Sequence, residues 1–437
     1  MKIAFIILAH NKPEFVAKTI QSIVSHGHFA CVHYDASAPS TDIDQLKQEF
    51  RDASEQVSII SQHACEWGGW SLAQAPLTAL KTIRDLNWDI DYVHLMSGAD
   101  VQIKPFKALE EFLSAHPHDF IESVDISKQK WVTDGLEMER FIYTFPYNFR
   151  SQKEKFQGHL QQQIRDNKTT IIPQEITPHM GSQWWTLRWE SCLQILDYVS
   201  ENKHLIEYFK LCWIPDESFF QTLIRSVVPA HEIKSCQLLF HVFSSSGRPF
   251  IFMNGHESLI DKLPHFFIRK VSPHSQQLLQ HIECSVSSAS NIELTTPELL
   301  IQKAAECSYE IKSFCTISNT TPWSKLTHNF KGPNNQATLI LVHDGRVDHR
   351  AIIAKLANLK GVEYLGRPFQ KERPETMHNL LVKLGHKPSS VPVNPYKSDR
   401  IWQETLERNP SLKLAIVSYV PYEDWICGSS ALNSLRK

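Results

Sequence analysis

The first hundred residues constrain this chain most, because strand and helix patterns alternate through them without a break. The apolar run Ile3-Ala4-Phe5-Ile6-Ile7-Leu8-Ala9 follows Met1-Lys2 and stops at His10-Asn11-Lys12-Pro13. A run this continuous suits a parallel strand buried on both faces, which has no solvent side to keep polar. It is too short for a signal peptide and has no small-residue cleavage site. Residues 13–24 carry apolar side chains at helical spacing (Phe15, Val16, Ile20, Ile23, Val24). Strands are predicted at 29–34, 57–60 and 92–96, and helices at 40–50, 71–86 and 105–115, the first opened by a Ser-Thr-Asp cap. Such alternation through short loops implies a mostly parallel sheet with helices on both faces. Ligands of such sheets sit beyond the carboxyl ends of the strands, and His10, Asp35 and Asp100 fall at such ends.

Residues 120–180 are polar and aromatic with weak periodicity, and read as loops and short helices inserted on an acceptor side. Beyond them a strand is predicted at 181–188, helices at 189–200 and 216–226, and strand-like pieces at 240–252 around Ser244-Ser245-Ser246-Gly247. Residues 258–282 are largely helical in pattern. The small, polar stretch 285–291 reads as a linker dividing the chain into domains 1–284 and 285–437. The second is a smaller α/β domain with strands at 338–342, 362–365 and 414–420 and a helix at 349–358. Its Ile340-Leu341-Val342-His343-Asp344-Gly345-Arg346 strand and loop lack a phosphate-loop signature, so an accessory role is preferred to a second enzyme.

Composition removes several function classes. With 42% hydrophobic and 21% charged residues among 437, the chain is an ordinary globular one. A net charge of −2 gives no bulk attraction to nucleic acid or to an anionic membrane, so charged ligands need a local cluster. No stretch approaches the roughly 18–20 apolar residues that span a bilayer. A soluble protein, at most peripheral to a membrane, is expected. Nine cysteines at irregular spacing, with no C-x-x-C pair, fit reduced thiols in a cytoplasm better than zinc or disulfides. His26, His28, His116 and His118 lie in turns without acids at metal spacing and read as surface residues.

Four local patterns carry chemistry, each with a plainer reading beside it. Pro215-Asp216-Glu217-Ser218-Phe219-Phe220 sets two acids at a helix start, either to complement its positive end or to supply a general base. Glu66-Trp67-Gly68-Gly69-Trp70-Ser71 is either a packed turn or a close-approach loop with flat rings. Gly181-Ser182-Gln183-Trp184-Trp185 is either a buried tryptophan pair or a sugar platform of exposed-type aromatics. Arg248, Arg269 and Lys270 are either scattered surface cations or a diphosphate site.

Order and spacing join these patterns. Ile6-Ile7-Leu8-Ala9-His10, Val32-His33-Tyr34-Asp35, Trp67-Gly68-Gly69, Leu95-Met96-Ser97-Gly98-Ala99-Asp100, Gly181-Ser182-Gln183-Trp184 and Pro215-Asp216-Glu217-Ser218-Phe219-Phe220 occur in series. The series resembles the core-2/I-branching β-1,6-N-acetylglucosaminyltransferase and peptide O-xylosyltransferase family over roughly residues 1–283. The resemblance implies a GT-A-like nucleotide-sugar-binding α/β domain without the usual metal. It implies that Asp35 contacts uridine, that Leu8, His10, Trp67 and Asp100 lie on the donor side, and that Glu217 is the catalytic carboxylate. Arg248, Arg269 and Lys270 match the positions that replace a metal at the diphosphate, and Gln183, Trp184 and Asp216 fall on the acceptor side. The family differs at Asn11, often aromatic or basic there, and at Tyr34, commonly a small β-branched residue. Both departures bear on donor specificity.

The chemistry this implies is coherent. Inversion takes one displacement at the anomeric carbon, with a carboxylate receiving the acceptor hydroxyl proton. The departing UDP gains charge that a metal or fixed cations must meet. Metal-dependent relatives place an Asp-x-Asp after the fourth strand. Here that place holds Ser97-Gly98-Ala99-Asp100, while Asp42-Ile43-Asp44 and Asp89-Ile90-Asp91 fall at the wrong end of the sheet. The expectation is an inverting, metal-independent transfer of N-acetylglucosamine or xylose from a UDP-sugar to a glycan hydroxyl, with no cofactor, in bacterial surface-polysaccharide synthesis. Its rivals are a metal-dependent enzyme, a non-catalytic carbohydrate- or nucleotide-binding module, and a transferase with a sulfotransferase-like tail.

Overall fold

The computed structural model describes residues 1–132, 135–243, 249–252, 256–273, 275–288, 295–315, 328–331, 337–342, 362–364 and 413–418. The amino-terminal alternation is present: β1 Ile3–Ala9, α1 Pro13–Ser25, β2 Phe29–Tyr34, α2 Ser40–Glu49, β3 Val57–Ile60, α3 Ser71–Asp85 and β4 Tyr92–Ser97. There follow β5 Val101–Gln102, α4 Phe106–Ala115, β6 Asp119–Ile121, β7 Val124–Asp125, α5 Glu139–Ile142, α6 Lys153–Arg165, β8 His179–Met180 and β9 Trp185–Arg188. Then come α7 Trp189–Glu201, α8 Lys203–Phe209, a 3-10 turn Pro215–Glu217, α9 Phe219–Val227, β10 Ile233–Lys234, β11 Leu239–His241, α10 Glu257–Ile260, β12 Phe267–Arg269, α11 Gln276–Ser288 and α12 Pro297–Cys315. The last strands are β13 His328–Lys331, β14 Ala337–Val342, β15 Val362–Tyr364 and β16 Lys413–Ser418.

Contacts gather the chain into two compact units. One comprises Met1–Asp100, Pro105–Leu239 and Ile292–Leu300; the other comprises Val101–Lys104, Phe240–Asn291 and Ile301–Lys437. The first is built on a seven-stranded sheet of order β10-β6-β9-β4-β1-β2-β3. Strands β3, β2, β1 and β4 run parallel, with Ile7 opposite Val32 and Leu8 opposite Ser97. β1 is buried nearly throughout, as its unbroken apolar run requires. β9 enters antiparallel between β4 and β6. A buried ion cluster fixes that arm. Asp119 accepts from the Arg188 backbone N–H at 2.8 Å, from its guanidinium at 2.8 Å and from Ser191 Oγ at 2.7 Å, and Arg188 also reaches Glu232.

The second unit holds a three-stranded sheet of order β11-β12-β5 and a four-stranded sheet of order β13-β14-β16-β15. In the latter β14, β16 and β15 are parallel, at the strands expected from the sequence. Phe240, Phe250, Phe252, Ile268 and Leu278 pack in its core.

Several expectations need correction. The strand predicted over 181–188 begins only at Trp185, because Gly181 N–H goes to Glu217 O and Ser182 N–H to Glu122 instead of to a neighbouring strand. The helix predicted over 216–226 is split at Ser218 into the 3-10 turn and α9. β12 interrupts the helical reading of 258–282, and α11 runs through Ser288, into the predicted linker. α2 starts at Ser40 behind Pro39, without a side-chain cap. His28 is buried between the rings of Phe5 and Phe106, and burial lowers its pKa to about 4. The predicted helix at 349–358 lies outside the described residues.

Candidate functional site

The acidic turn is shaped by an unusual backbone. Ile214 stands at φ 53°, ψ 58°, in the left-handed region where a β-branched side chain is strained. Its N–H donates to Gly68 O at 3.0 Å, and its carbonyl accepts from Glu217 N–H at 3.1 Å. Gly68 itself has φ +76°, and a Cβ there would stand 3.2 Å from Trp213 Nε1. The Trp67-Gly68 loop and the carboxylate turn are therefore clasped together through the left-handed Ile214 and a positive-φ glycine.

A second clasp comes from Gly181. Its N–H donates to Glu217 O at 3.0 Å, and a Cβ there would lie 1.9 Å from Glu122 O. Only glycine can occupy that approach. Glu122 accepts from Ser182 N–H at 2.9 Å and from Gln237 Nε2 at 3.2 Å, while buried Gln221 donates to Ser182 O and Asp216 O. The backbone around the two acids is thus tied on three sides.

Their side chains are treated differently. Glu217 is 26% exposed and its Oε2 pairs with Arg140 Nη1 at 2.7 Å. Arg140 is buried, donates its Nε to Leu136 O, and lies with its guanidinium carbon 5.3 Å from the Trp213 ring centre. Burial pushes the Glu217 acid up, Arg140 pulls it back, and the Glu122 charge adds to the rise. Asp216 is buried, and its Oδ1 has no hydrogen bond among the described residues. Burial first, and then the Glu217 charge, pushes its acid up as well. A carboxylate that reaches solvent from a dry, positively anchored seat can take a proton from a bound hydroxyl.

The strand-end residues form another group. Asp35 accepts from Ser37 N–H at 2.8 Å, Ser37 Oγ at 2.6 Å and Cys65 N–H at 3.2 Å. Asp100 is fully buried, and its two oxygens accept from Ser97 N–H and Ser97 Oγ, both at 2.6 Å. Leu8 is half-buried and tied to this loop through Gly98 N–H at 2.9 Å, and His10 is exposed. Trp67 is 38% exposed, stacked edgewise on Trp213 at 6.5 Å, and covered on one face by Arg150 at 4.5 Å.

Other expected residues fare variously. Gln183 is half-buried, but Trp184 and Trp185 are buried, which corrects the reading of an exposed platform there. For Trp185 the interior strand β9 explains this, since it lies between two neighbours. Arg269 and Lys270 are half-buried at the end of β12 in the second unit, and Arg248 lies outside the described residues. Asp42 accepts from Tyr34 OH, and Asp91 from Lys2 N–H. Among the described residues no three His, Cys, Asp or Glu side chains gather as a metal group would require.

Sequence reasoning missed Arg140, Glu122, Gln221 and the ring cluster of Trp213 with Phe145, Phe149 and Phe156 at 5.3–6.0 Å. Arg140 had no local signal, because its partner lies 77 positions away. Trp213 stood beside the acidic motif and could have been noted.

Comparison with known proteins adds an independent finding. A family model of Core-2/I-branching enzymes matches residues 3–238. Xylosyltransferase oxt of Drosophila melanogaster is 24% identical over 241 residues, which is 52% of this chain and 24% of that protein. A xylosyltransferase of Ciona intestinalis is 23% identical over 236 residues, 52% of this chain and 25% of that one. The chain thus spans about a quarter of the length of these relatives. A structure of galactosyltransferase LgtC with donor and acceptor sugar analogs aligns over 69% of this chain and all of that one, at 10% identity. Its TM-score of 0.29 is too low to support any argument.

Proposed function

This chain belongs to the Core-2/I-branching enzyme family, and we propose that it moves a sugar from a UDP-sugar to a glycan hydroxyl by one inverting displacement. The observation that carries this reading is the seat of Glu217, half-open to solvent yet ion-paired to a buried Arg140. As the acceptor oxygen attacks the anomeric carbon, its proton passes to Glu217 and the bond to UDP breaks, the electron pair leaving with the diphosphate. N-acetylglucosamine and xylose are the donors that the motif series favours, and the matched relatives are named xylosyltransferases.

Metal independence is part of the proposal. The single carboxylate at the end of β4, Asp100, already has both oxygens engaged by Ser97, so it is poorly placed to bind an ion. Arg248, Arg269 and Lys270 are proposed to meet the diphosphate charge instead, Arg by its planar fork and Lys as a point charge. Asp35 is proposed for the uridine, with Leu8 and His10 beside it, and Gln183 and Asp216 for the acceptor side.

The test is UDP release from a panel of UDP-sugars with EDTA present, for wild type and Glu217→Gln. Release from one donor that survives EDTA and falls by about 10²-fold in the variant, the scale of a lost general base, is expected. Release abolished by EDTA overturns the metal-free mechanism. Equal release from Glu217→Gln overturns its role as base.

A further inference from the structure

Beside the Glu217 turn, the segment from Tyr147 to Phe156 carries cations stacked on rings. The Arg150 guanidinium carbon lies 4.5 Å from the Trp67 ring centre, Lys153 Nζ lies 5.8 Å from that of Phe149, and Lys155 Nζ lies 5.9 Å from that of Tyr147. All three cations are exposed, and none pairs with a carboxylate among the described residues. Some other basic side chains of the same unit do find acids: Lys128 meets Asp125 at 2.7 Å, Arg188 meets Asp119 at 2.8 Å, and Lys210 meets Glu207 at 2.6 Å. A ring beneath a cation holds it in place while leaving its N–H groups turned to solvent. Glu154 is the one acid of the segment, so residues 147–156 carry a local excess of positive charge in a chain of net charge −2.

The cluster is physically continuous with the candidate base. Trp213 lies under Arg140 at 5.3 Å and edgewise against Trp67 at 6.5 Å, and Phe149 packs on both tryptophans. Asn148 Nδ2 donates to Trp67 O at 3.1 Å, which binds the segment to the Trp67-Gly68 loop. An exposed indole beside three cations suits a ligand with both flat, weakly polar C–H faces and anionic groups. A sugar ring bearing a carboxylate has both.

We propose that Trp67, which the motif series sets on the donor side, instead joins Arg150, Lys153 and Lys155 in receiving an acidic saccharide, so that the acceptor in the transfer proposed above is a carboxylate-bearing glycan. This rests on that reading of the site. The exposed indole favours a saccharide over a run of acidic residues alone, which would meet the cations but offer the ring no flat C–H face. It also argues against an anionic bilayer, since Phe149 and Tyr147 are half-buried and do not project as an inserting face.

The test is titration of the full chain with an oligogalacturonate, a neutral oligosaccharide of equal length, poly-glutamate and phosphatidylglycerol vesicles. UDP is titrated in parallel. The oligogalacturonate is expected to bind and to weaken as salt rises from about 50 to about 300 mM. Its affinity should fall about tenfold in the triple variant Arg150→Gln, Lys153→Gln, Lys155→Gln, with UDP affinity unchanged. Trp67→Phe should weaken the oligogalacturonate but leave poly-glutamate binding as it is. Binding of the neutral oligosaccharide with equal affinity overturns the proposal. So do binding of poly-glutamate or vesicles as tight as that of the oligogalacturonate, and a triple variant that binds like wild type. UDP binding without oligogalacturonate binding sinks this inference alone, whereas the reverse result sinks the transferase reading and leaves the saccharide surface standing.

Discussion

The first unit uses carboxylates in two opposite ways. At the strand ends, Asp35 and Asp100 are buried but fully engaged, each clasping the serine of its own turn through a backbone N–H and a hydroxyl. On the 3-10 turn, among the described residues, Asp216 is buried with an oxygen left without a donor, and Glu217 is held by Arg140. The first kind stabilises loops because charge-assisted hydrogen bonds replace lost water. The second is kept short of partners, at a cost in stability, and gains proton affinity. Burial by itself therefore does not mark a reactive acid; burial with too few donors does.

Substitutions can break or sharpen that contrast. The largest effect is expected from Gly181→Ala, whose Cβ would strike Glu122 O and unseat the N–H that holds Glu217 O. A loss of about 3 kcal/mol or more in denaturant unfolding, together with lost UDP release, is expected. Asp100→Asn should cost about 2 kcal/mol at neutral pH, because one strong acceptor of a buried turn becomes a donor facing a donor.

Asp216→Asn should have the opposite sign. Burial, and then the Glu217 charge, push the folded Asp216 acid up to about 7, above the 3.8 of an ordinary aspartate. Its acid thus favours the fold at low pH, and that advantage disappears as pH rises toward 7. The variant should gain steadily on wild type as pH rises from 4 to 7, by up to about 1.4 kcal/mol per pH unit, and no further above pH 8, seen in paired denaturant titrations. A flat difference across that range would remove Asp216 from the reactive group.

The smallest effect is a displacement of a pH profile. Arg140 lowers the Glu217 acid, so Arg140→Gln should move the acidic limb of kcat/KM to higher pH. A variant that loses activity equally at all pH values would show Arg140 to be structural only.

Sequence patterning located the alternating half of the fold closely. β2 and β3 fall residue for residue where predicted, because buried parallel strands are continuous apolar runs bounded by turns. The split at Ser218 was not legible, since it depends on the left-handed Ile214 and its bond to a loop far back in the chain. Glu217 was visible through its motif, while Arg140, in the mainly acidic stretch Glu137-Met138-Glu139, shows its role only once the chain is folded. The sequence left Trp184 and Trp185 open between a sugar platform and a buried pair; both are buried, Trp185 on the interior strand β9. His28 misled, lying in a turn yet buried by Phe5 and Phe106.

The place of β9 has a consequence for synthesis. β3, β2, β1 and β4 can pair as soon as they are made, but the outer edge of β4 stays bare until its antiparallel neighbour arrives. Trp185 follows Ser97 by 88 positions. At about 5–20 residues per second, that edge waits roughly 4–18 s on the ribosome. It presents Tyr92, Val93, Leu95 and Met96, all destined for burial. An open apolar edge of this kind invites pairing with other chains, so early protection by a chaperone should govern the yield of this protein in cells.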